Sequence, residues 1–278
     1  MRIMMSAAAS HVAPSIIRYL QVLGHEVIGH DSQQFFHCDV CDTFIRSPRV
    51  GPDYLKFLRN FESSYDLYLP FLDEELRHFA IYGYPANCLC SPSGTLLIFT
   101  SKTAQQKALQ DAGLPVPPEV DVIVKPAFGR GSRDIVRVHS RPSEYVVQQR
   151  VTGTEYTIDV LVDFDGKFLF AVPRERLMTN GVSVVGRIVM DDELIELAQD
   201  VVKKFKFAGP INIQVMQTPE KDYVLEVNAR LSGSCIFTVL AGFDILDASV
   251  RLFEDKPFIK PEKIEPITVR RYYVEERV

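Results

Sequence analysis

Residues 211–234 read INIQVMQTPEKDYVLEVNARLSGS. Two runs of alternating apolar and polar residues flank Thr218-Pro219-Glu220-Lys221, the composition of two strands joined by a turn. If Thr218 and Asp222 close that turn, Gln214 stands opposite Glu226 and Asn212 opposite Asn228. Side chains alternate faces along a strand. All four polar residues then share one face, and Ile213, Val215, Leu225 and Val227 share the other. A solvated strand face more often carries lysine, threonine and mixed charge. This one offers a carboxylate and carboxamide oxygens, ligands suited to a hard cation such as Mg²⁺ that also holds phosphate oxygens. Arg230 and Ser232 follow closely, and an arginine pairs with phosphate in bidentate fashion. Taken alone, the pattern also fits a polar face turned to water.

A second stretch, VIVKPAFGRGSR at 122–133, ends a β-branched run in Lys125 and continues into a loop with Gly129, Arg130, Gly131, Ser132 and Arg133. Either it is a phosphate-binding loop or it is a turn between strands. Glycines let backbone N–H groups approach phosphate, and a lysine adds a point charge. The spacing G-x-x-x-x-G-K-[ST] is absent, so it is no Walker A loop.

The N-terminal third alternates strands and helices. Residues 2–5 and 27–31 are strand-like around a helix over 13–23 that Gly24 ends, and 65–70 runs into an acidic helix start at Asp73-Glu74-Glu75. This alternation predicts a parallel sheet covered on both faces. It carries no G-x-G-x-x-G, so dinucleotide binding has no support. Farther on, a helix is expected over 101–113 with Ser101 as its cap. Strands are expected at 145–151, 156–163 and 167–173, the last two joined by Asp165-Gly166. A helix is expected over 191–208, opened by Asp191 and stopped by Gly209.

The 278 residues are 46% apolar, ample for a buried core, and the net charge of −5 argues against a nucleic-acid binder acting by bulk electrostatics. The N-terminus does not read as a signal peptide, and no run of about 20 apolar residues suggests a membrane span. Five cysteines, an odd number, point to reduced thiols and a cytoplasmic setting. His37, Cys38 and Cys41 are a weak zinc pattern with no second pair at ligand spacing, and two partly buried thiols are the plainer reading. The six histidines form no catalytic pattern, and no Ser-His-Asp set is evident.

Four motifs in order make the chain resemble the ATP-grasp superfamily, in its carbamoyl-phosphate-synthetase and biotin-carboxylase branch. They are TSKTAQQKALQDAGLPVP at 100–117, VIVKPAFGRGSR, VVQQRVTGTEYTIDVL at 146–161, and the strand pair ending EVNARLSGS at 226–234. The resemblance implies an α/β and α+β fold with three parts. These are an N-terminal Rossmann-like parallel-sheet lobe (1–90), a small lid lobe (about 119–147, shorter than the family's) and a C-terminal antiparallel-sheet lobe that binds ATP and metal (about 148–278). It implies ATP and Mg²⁺ or Mn²⁺ as cofactors.

Residue by residue, the resemblance makes Lys102 and Lys125 the two lysines on the ATP phosphates, and Gly129, Arg130, Gly131 and Ser132 the loop closing over them. Gln148 stands where the family usually has a hinge glutamate, and the backbone of Gln149 to Val151 meets the adenine edge. Glu155 binds the ribose hydroxyls. Gln214, Glu226 and Asn228 hold the metal, the glutamine being a family option. Asn228, Lys125 and Arg230 carry the chemistry, with Arg230 beside the γ-phosphate. Arg174 and Arg176, in VPRERLMTNG, are candidates for nucleotide or substrate anions, with a charge pair to Glu175 as the other reading. Gly181 and Ser183 are placed in the same loop.

The implied activity is an ADP-forming ligase that activates a carboxylate as an acyl phosphate for attack by an amine or thiol. Its implied partners are those small molecules, neither nucleic acid nor membrane, and a homodimer is compatible with it. Carboxyphosphate or carbamate chemistry, and a nucleotide-binding regulator with little turnover, stand as the alternatives.

Overall fold

A computed structural model describes residues 1–33, 36–120, 122–124, 136–138 and 146–272. In chain order its strands are β1 (Arg2–Met5), β2 (Glu26–Asp31), β3 (Thr43–Arg46), β4 (Leu67–Leu69), β5 (Val122–Val124), β6 (Val136–Val138), β7 (Thr154–Val162), β8 (Phe168–Asn180), β9 (Val182–Ile188), β10 (Gly209–Gln217), β11 (Asp222–Asn228) and β12 (Thr268–Arg270). The helices are α1 (Ala13–Val22), α2 (Tyr54–Asn60), α3 (Asp73–Tyr82), α4 (Ser93–Phe99), α5 (Lys102–Asp111), α6 (Asp192–Lys204), α7 (Cys235–Leu240) and α8 (Ile245–Phe253). Among the described residues, no helix is long and apolar enough to cross a membrane.

The first four strands form a parallel sheet in the order β3-β2-β1-β4. Helix α1 starts with proline in its first turn, buries Ile16, Ile17 and Leu20, and gives way to Gly24 at φ 84°, a conformation that suits glycine. The second sheet is antiparallel, in the order β11-β10-β7-β8-β9-β12. Its strand β7 alternates strictly. Ile158, Val160 and Val162 face one core with Leu194, Ala198, Val201 and Val202 of α6, while Leu161 and Val172 face the other core with residues of α7 and α8.

Side chains join the lobes. Ser91 Oγ donates to Ala208 O at 3.2 Å and accepts from Ala208 N at 3.1 Å. Thr95 Oγ1 donates to Lys206 O at 2.7 Å, and Tyr19 OH donates to Asp244 Oδ2 at 2.6 Å.

Some expectations need correction. Helix α6 is capped by Asp191 as the sequence suggests, with bonds from Glu193 N and Leu194 N, but it stops at Lys204 rather than at Gly209. Phe205 turns extended because it and Phe207 pack on Phe99, with ring centroids 4.9 and 4.7 Å away, and Gly209 opens β10 instead. The strand expected at 145–151 is, among its described residues, a single bridge from Gln148 to Glu119. Strand β9 was not anticipated, although Asn180-Gly181 is a hairpin turn signal and Gly181 sits at φ 71°.

The buried heart of the N-terminal lobe is polar. Glu75 is fully buried, and its carboxylate accepts from Tyr54 OH and Tyr68 OH, both at 2.7 Å, from Phe71 N and Leu72 N at 2.8 and 2.9 Å, and from Ser6 Oγ. Burial pushes its pKa up, against the pull of these donors. His30, also buried, bonds Tyr68 OH through Nε2 at 2.9 Å, and burial lowers its pKa to about 3. A base whose folded pKa lies below its unfolded value is neutral in the native state. Acid therefore favours the unfolded chain between pH 6.5, the ordinary value, and about 3. We expect His30→Gln to lose less stability than wild type on acidification through that window, read by urea melts at stepped pH. Parallel losses in the two proteins would contradict a neutral buried imidazole.

Candidate functional site

The antiparallel pair at the sheet edge sets the site. Asn212 pairs with Asn228 and Gln214 with Glu226, as the turn reading requires. A bulge after Gln214 then shifts the register by one, so Gln217 rather than Thr218 faces Asp222. The shift also swaps the core residue: Val224 is fully buried, and Leu225, expected inside, is half-buried. Edge strand β11 is not left open. Val224 N donates to Pro115 O at 2.7 Å, and Val227 N donates to Gln105 Oε1 at 2.9 Å. These contacts pack α5 and the segment after it along the edge, satisfying donors that an open edge would leave unpaired.

Cross-strand partners share a face and lie within about 4.5–5.5 Å at Cβ. One row therefore runs Glu226, Gln214, Thr157 and Arg174 across β11, β10, β7 and β8, and the next runs Asn228, Asn212 and Asp159. Asn228 Nδ2 donates to Asn212 Oδ1 at 3.1 Å, and Asn212 Nδ2 donates to Arg230 O at 2.9 Å. This chain fixes the Asn228 amide so that its oxygen, not its nitrogen, is the atom on offer as a ligand. Both asparagines are buried, and the Glu226 side chain is 23% exposed.

Cations converge on that edge. Ser101 caps α5 by accepting from Ala104 N, and Lys102, the first residue of the helix, ion-pairs with Glu226. Arg230 forms a bidentate pair with Asp73 at the start of α3, with Nε–Oδ1 at 2.8 Å and Nη2–Oδ2 at 3.0 Å. Asp73 comes from the opposite lobe. Of the acidic trio at the start of α3, it thus faces the site, whereas Glu75 is enclosed in the lobe. Arg176 Nη1 donates to Glu155 at 2.7 Å. Each described cation of the face is therefore matched to one carboxylate.

Arg174 is placed differently from a surface ligand. It is fully buried, donating to Asp159 Oδ2 at 3.3 Å, Ser183 Oγ at 3.2 Å and Ser232 Oγ at 3.2 Å, with its guanidinium 5.5 Å from the Phe237 ring centre. The charge pair considered with Glu175 is not formed by either arginine. Strand alternation sends Glu175 to the other face, where it binds Arg187 at 3.0 Å through Nε. Arg174 instead ties the segment after Arg230 to the middle of the sheet. Removing one member of a buried pair strands the other, at a cost of about 3–5 kcal/mol. We expect Arg174→Leu to lose stability on that scale in denaturant unfolding, with much of it restored by the added change Asp159→Leu. A loss below about 1 kcal/mol, the range of exposed pairs, would contradict the buried pair.

The hinge folds over α5. Gln148 Nε2 donates to Gln106 Oε1 at 2.6 Å, and Gln106 Nε2 donates to Pro117 O at 2.8 Å. Gln149 N donates to Pro118 O at 2.9 Å, so that amide is already engaged. Val151 is half-buried, and Gly153 lies so close to β10 that a Cβ there would sit 1.9 Å from Gln217 O. Lys125, Gly129, Arg130, Gly131, Ser132 and Arg133 lie outside the described residues.

Asp159 was not anticipated as a site residue, nor were the roles of Asn212 in orienting Asn228 and of Asp73 in holding Arg230. Alternation along β7 could have marked Asp159, two and four residues from Thr157 and Glu155 on one face. Nothing local could have paired Asp73 with Arg230. Among the described residues no three His, Cys, Asp or Glu side chains group as a metal site, and Cys38 and Cys41 are buried thiols. The donor set Glu226, Gln214 and Asn228 nevertheless suits a hard cation that keeps water and phosphate oxygens, because only one of its members is charged. The ammonium of Lys102 already stands against Glu226, where positive charge is favoured.

A family model described as ATP-grasp in the biosynthetic pathway with Ter operon matches residues 141–275. No curated protein matches the sequence. Among solved structures, an ADP complex of N5-carboxyaminoimidazole ribonucleotide synthetase superposes with a TM-score of 0.72 at 15% identity, over 96% of this chain and 80% of that one. An L-amino acid ligase from Bacillus licheniformis superposes at 0.67 and 16% identity, over 96% and 78%. A multifunctional pyruvate carboxylase from Rhizobium etli superposes at 0.64 and 17% identity, over 92% of this chain and 28% of that one. Likeness at these identities establishes the fold.

Proposed function

We propose that this chain, which has the ATP-grasp fold and matches an ATP-grasp family model over residues 141–275, is an ADP-forming ligase. It activates a small carboxylic acid as an acyl phosphate and passes the acyl group to an amine or thiol. The observation that carries this reading is the joining of Glu226, Gln214 and Asn228 at one sheet edge with Lys102 and Arg230 beside them. The matched family's description, a biosynthetic pathway, agrees with a bond-forming reaction.

The roles follow from charge and position. Glu226 would hold a divalent ion in place of Lys102, whose ammonium would then be free to meet the ATP phosphates. Glu226, Gln214 and Asn228 would hold that ion, which, when bound, offsets the charge of the transferring phosphoryl group. Arg230 presents a planar fork to the phosphoryl oxygens. Asn212 keeps the Asn228 oxygen turned outward, and Glu155 accepts the ribose hydroxyls while Arg176 steadies it. Arg174 positions the 230–234 segment from below. No covalent enzyme nucleophile is needed, since positioning and charge neutralisation supply most of the rate in phosphoryl transfer.

The test is ADP release from Mg-ATP across a panel of carboxylic acids, each with and without a mixture of amines and thiols. Release that needs one acid and one nucleophile is the expected result. Bicarbonate belongs in the panel, because two of the structurally similar proteins are a carboxylase and a synthetase of a carboxyamino product. Release dependent on bicarbonate alone would favour carboxyphosphate chemistry, and nucleotide binding without release under any condition would favour a regulator.

A further inference from the structure

A small recess opens at the carboxyl ends of the parallel strands, about 30 Å³ in volume, and residues following all four strands line it. They include Ala7 after β1, His30 and Asp31 of β2, Ser47 and Arg49 after β3, and Leu72 after β4. Open α/β sheets bind ligands at this end. The volume admits about two waters, so it is sized for a head group rather than for a whole molecule.

Its lining is unbalanced in an informative way. Among the described residues, no ion pair engages Asp31 or Arg49, although the two carry opposite charge and line the same recess. Among the described residues, the Asp31 carboxylate accepts only backbone bonds, from Ala9 N at 3.2 Å and Gln33 N at 3.0 Å. His30 is 1% exposed and its Nδ1 has no hydrogen-bond partner. The state of that nitrogen can be derived. Tyr68 OH donates to the Glu75 carboxylate, so its oxygen accepts from His30 Nε2–H, and a neutral ring then carries a bare lone pair at Nδ1. A buried acceptor without a donor is costly unless something supplies one. Ala7 holds φ 56°, a backbone conformation rare outside glycine, at the same rim.

We infer that this recess binds the head group of a zwitterionic amino acid, its ammonium donating to Asp31 and His30 Nδ1 and its carboxylate facing Arg49. A zwitterion supplies both missing counter-charges and the missing donor at once. A plain carboxylic acid leaves Asp31 and His30 unmet, and a thiol lacking an amine does the same. The recess also adjoins the reaction centre, because Leu72 lines it and the next residue, Asp73, holds Arg230. The inference rests on the ligase reading and narrows it, making one of the two condensed molecules an amino acid.

The test uses the full chain, with and without Mg-ATP. Each standard protein amino acid is offered singly in ligand-observed saturation-transfer NMR, beside the matching acid that lacks the amine. ATP binding is followed separately by calorimetry. At least one amino acid should bind and its desamino analogue should not. Asp31→Asn and Arg49→Gln should each weaken that binding by about tenfold or more, the loss of one charged contact, and leave ATP affinity unchanged. Both positions are solvent-accessible, so neither change removes core packing. A protein that binds Mg-ATP but no amino acid overturns the inference, as does amino-acid binding indifferent to both variants. Amino-acid binding without any ATP binding would instead overturn the ligase reading and leave the recess standing.

Discussion

Replacing Glu226 by alanine is expected to lower kcat/KM for acid-dependent ADP release by about a thousandfold, or about 4 kcal/mol of transition-state stabilisation. Glu226 is the charged member of the Gln214–Glu226–Asn228 set, and the same carboxylate holds Lys102. Its loss removes the anionic ligand and also frees Lys102 from its place at the first turn of α5. The fold should tolerate the change, because the side chain is partly exposed at an edge strand and Val227 N is held by Gln105 rather than by Glu226. Glu226→Gln should fall nearly as far, since it keeps shape and loses charge. An activity within about threefold of wild type in the alanine variant, a difference under 1 kcal/mol, would place the metal elsewhere.

The second large effect is expected at Arg230. Arg230→Ala should reduce turnover by about a hundred- to a thousandfold, roughly the loss seen when one preorganised donor to developing charge is removed. Arg230→Lys should recover little, because one ammonium cannot reproduce two parallel donors. Asp73→Asn is the informative companion. Asp73 holds the guanidinium along its Nε–Nη2 edge, so its neutralisation loosens the aim of Arg230 while leaving its charge in place. A smaller loss, about tenfold, is expected there and should appear in kcat more than in the KM for ATP. If Asp73→Asn lost as much as Arg230→Ala, Asp73 would itself touch a substrate.

Much of this arrangement is legible along the chain because it rests on short-range rules. A turn closed by Thr218 and Asp222 places Gln214 against Glu226; the observed turn is closed by Gln217 and Asp222, and a bulge restores that pairing. The turn cannot announce the bulge after Gln214, which arises where β11 must meet both β10 and the Pro115 carbonyl. Period-2 alternation likewise places Arg174 and Arg176 together and Glu175 opposite. It cannot say which of the two arginines lies under the α7 segment and which lies nearer the rim. That difference is tertiary: Arg174 is covered by Phe237 and Ser232, while Arg176 meets Glu155 with 11% of its side chain exposed.

Helix α6 shows the opposite case, in which tertiary packing overrides a local stop signal. Glycine at 209 is a fair stop on propensity alone, but the pull of Phe205 and Phe207 into the Phe99 cluster ends the helix sooner. The Asp73–Arg230 pair spans the lobes and depends on how two sheets meet, so no window of sequence contains it.

The most direct measurement of the central claim is a calorimetric titration of ATP into wild type and Glu226→Ala, each with and without Mg²⁺. A strand pair that holds metal through Glu226 predicts wild-type binding that strengthens markedly with Mg²⁺ and a variant in which that gain is lost. Equal ATP affinity in all four titrations, or no binding in any, would contradict it and leave the chain an ATP-grasp fold without the nucleotide site assigned to it here.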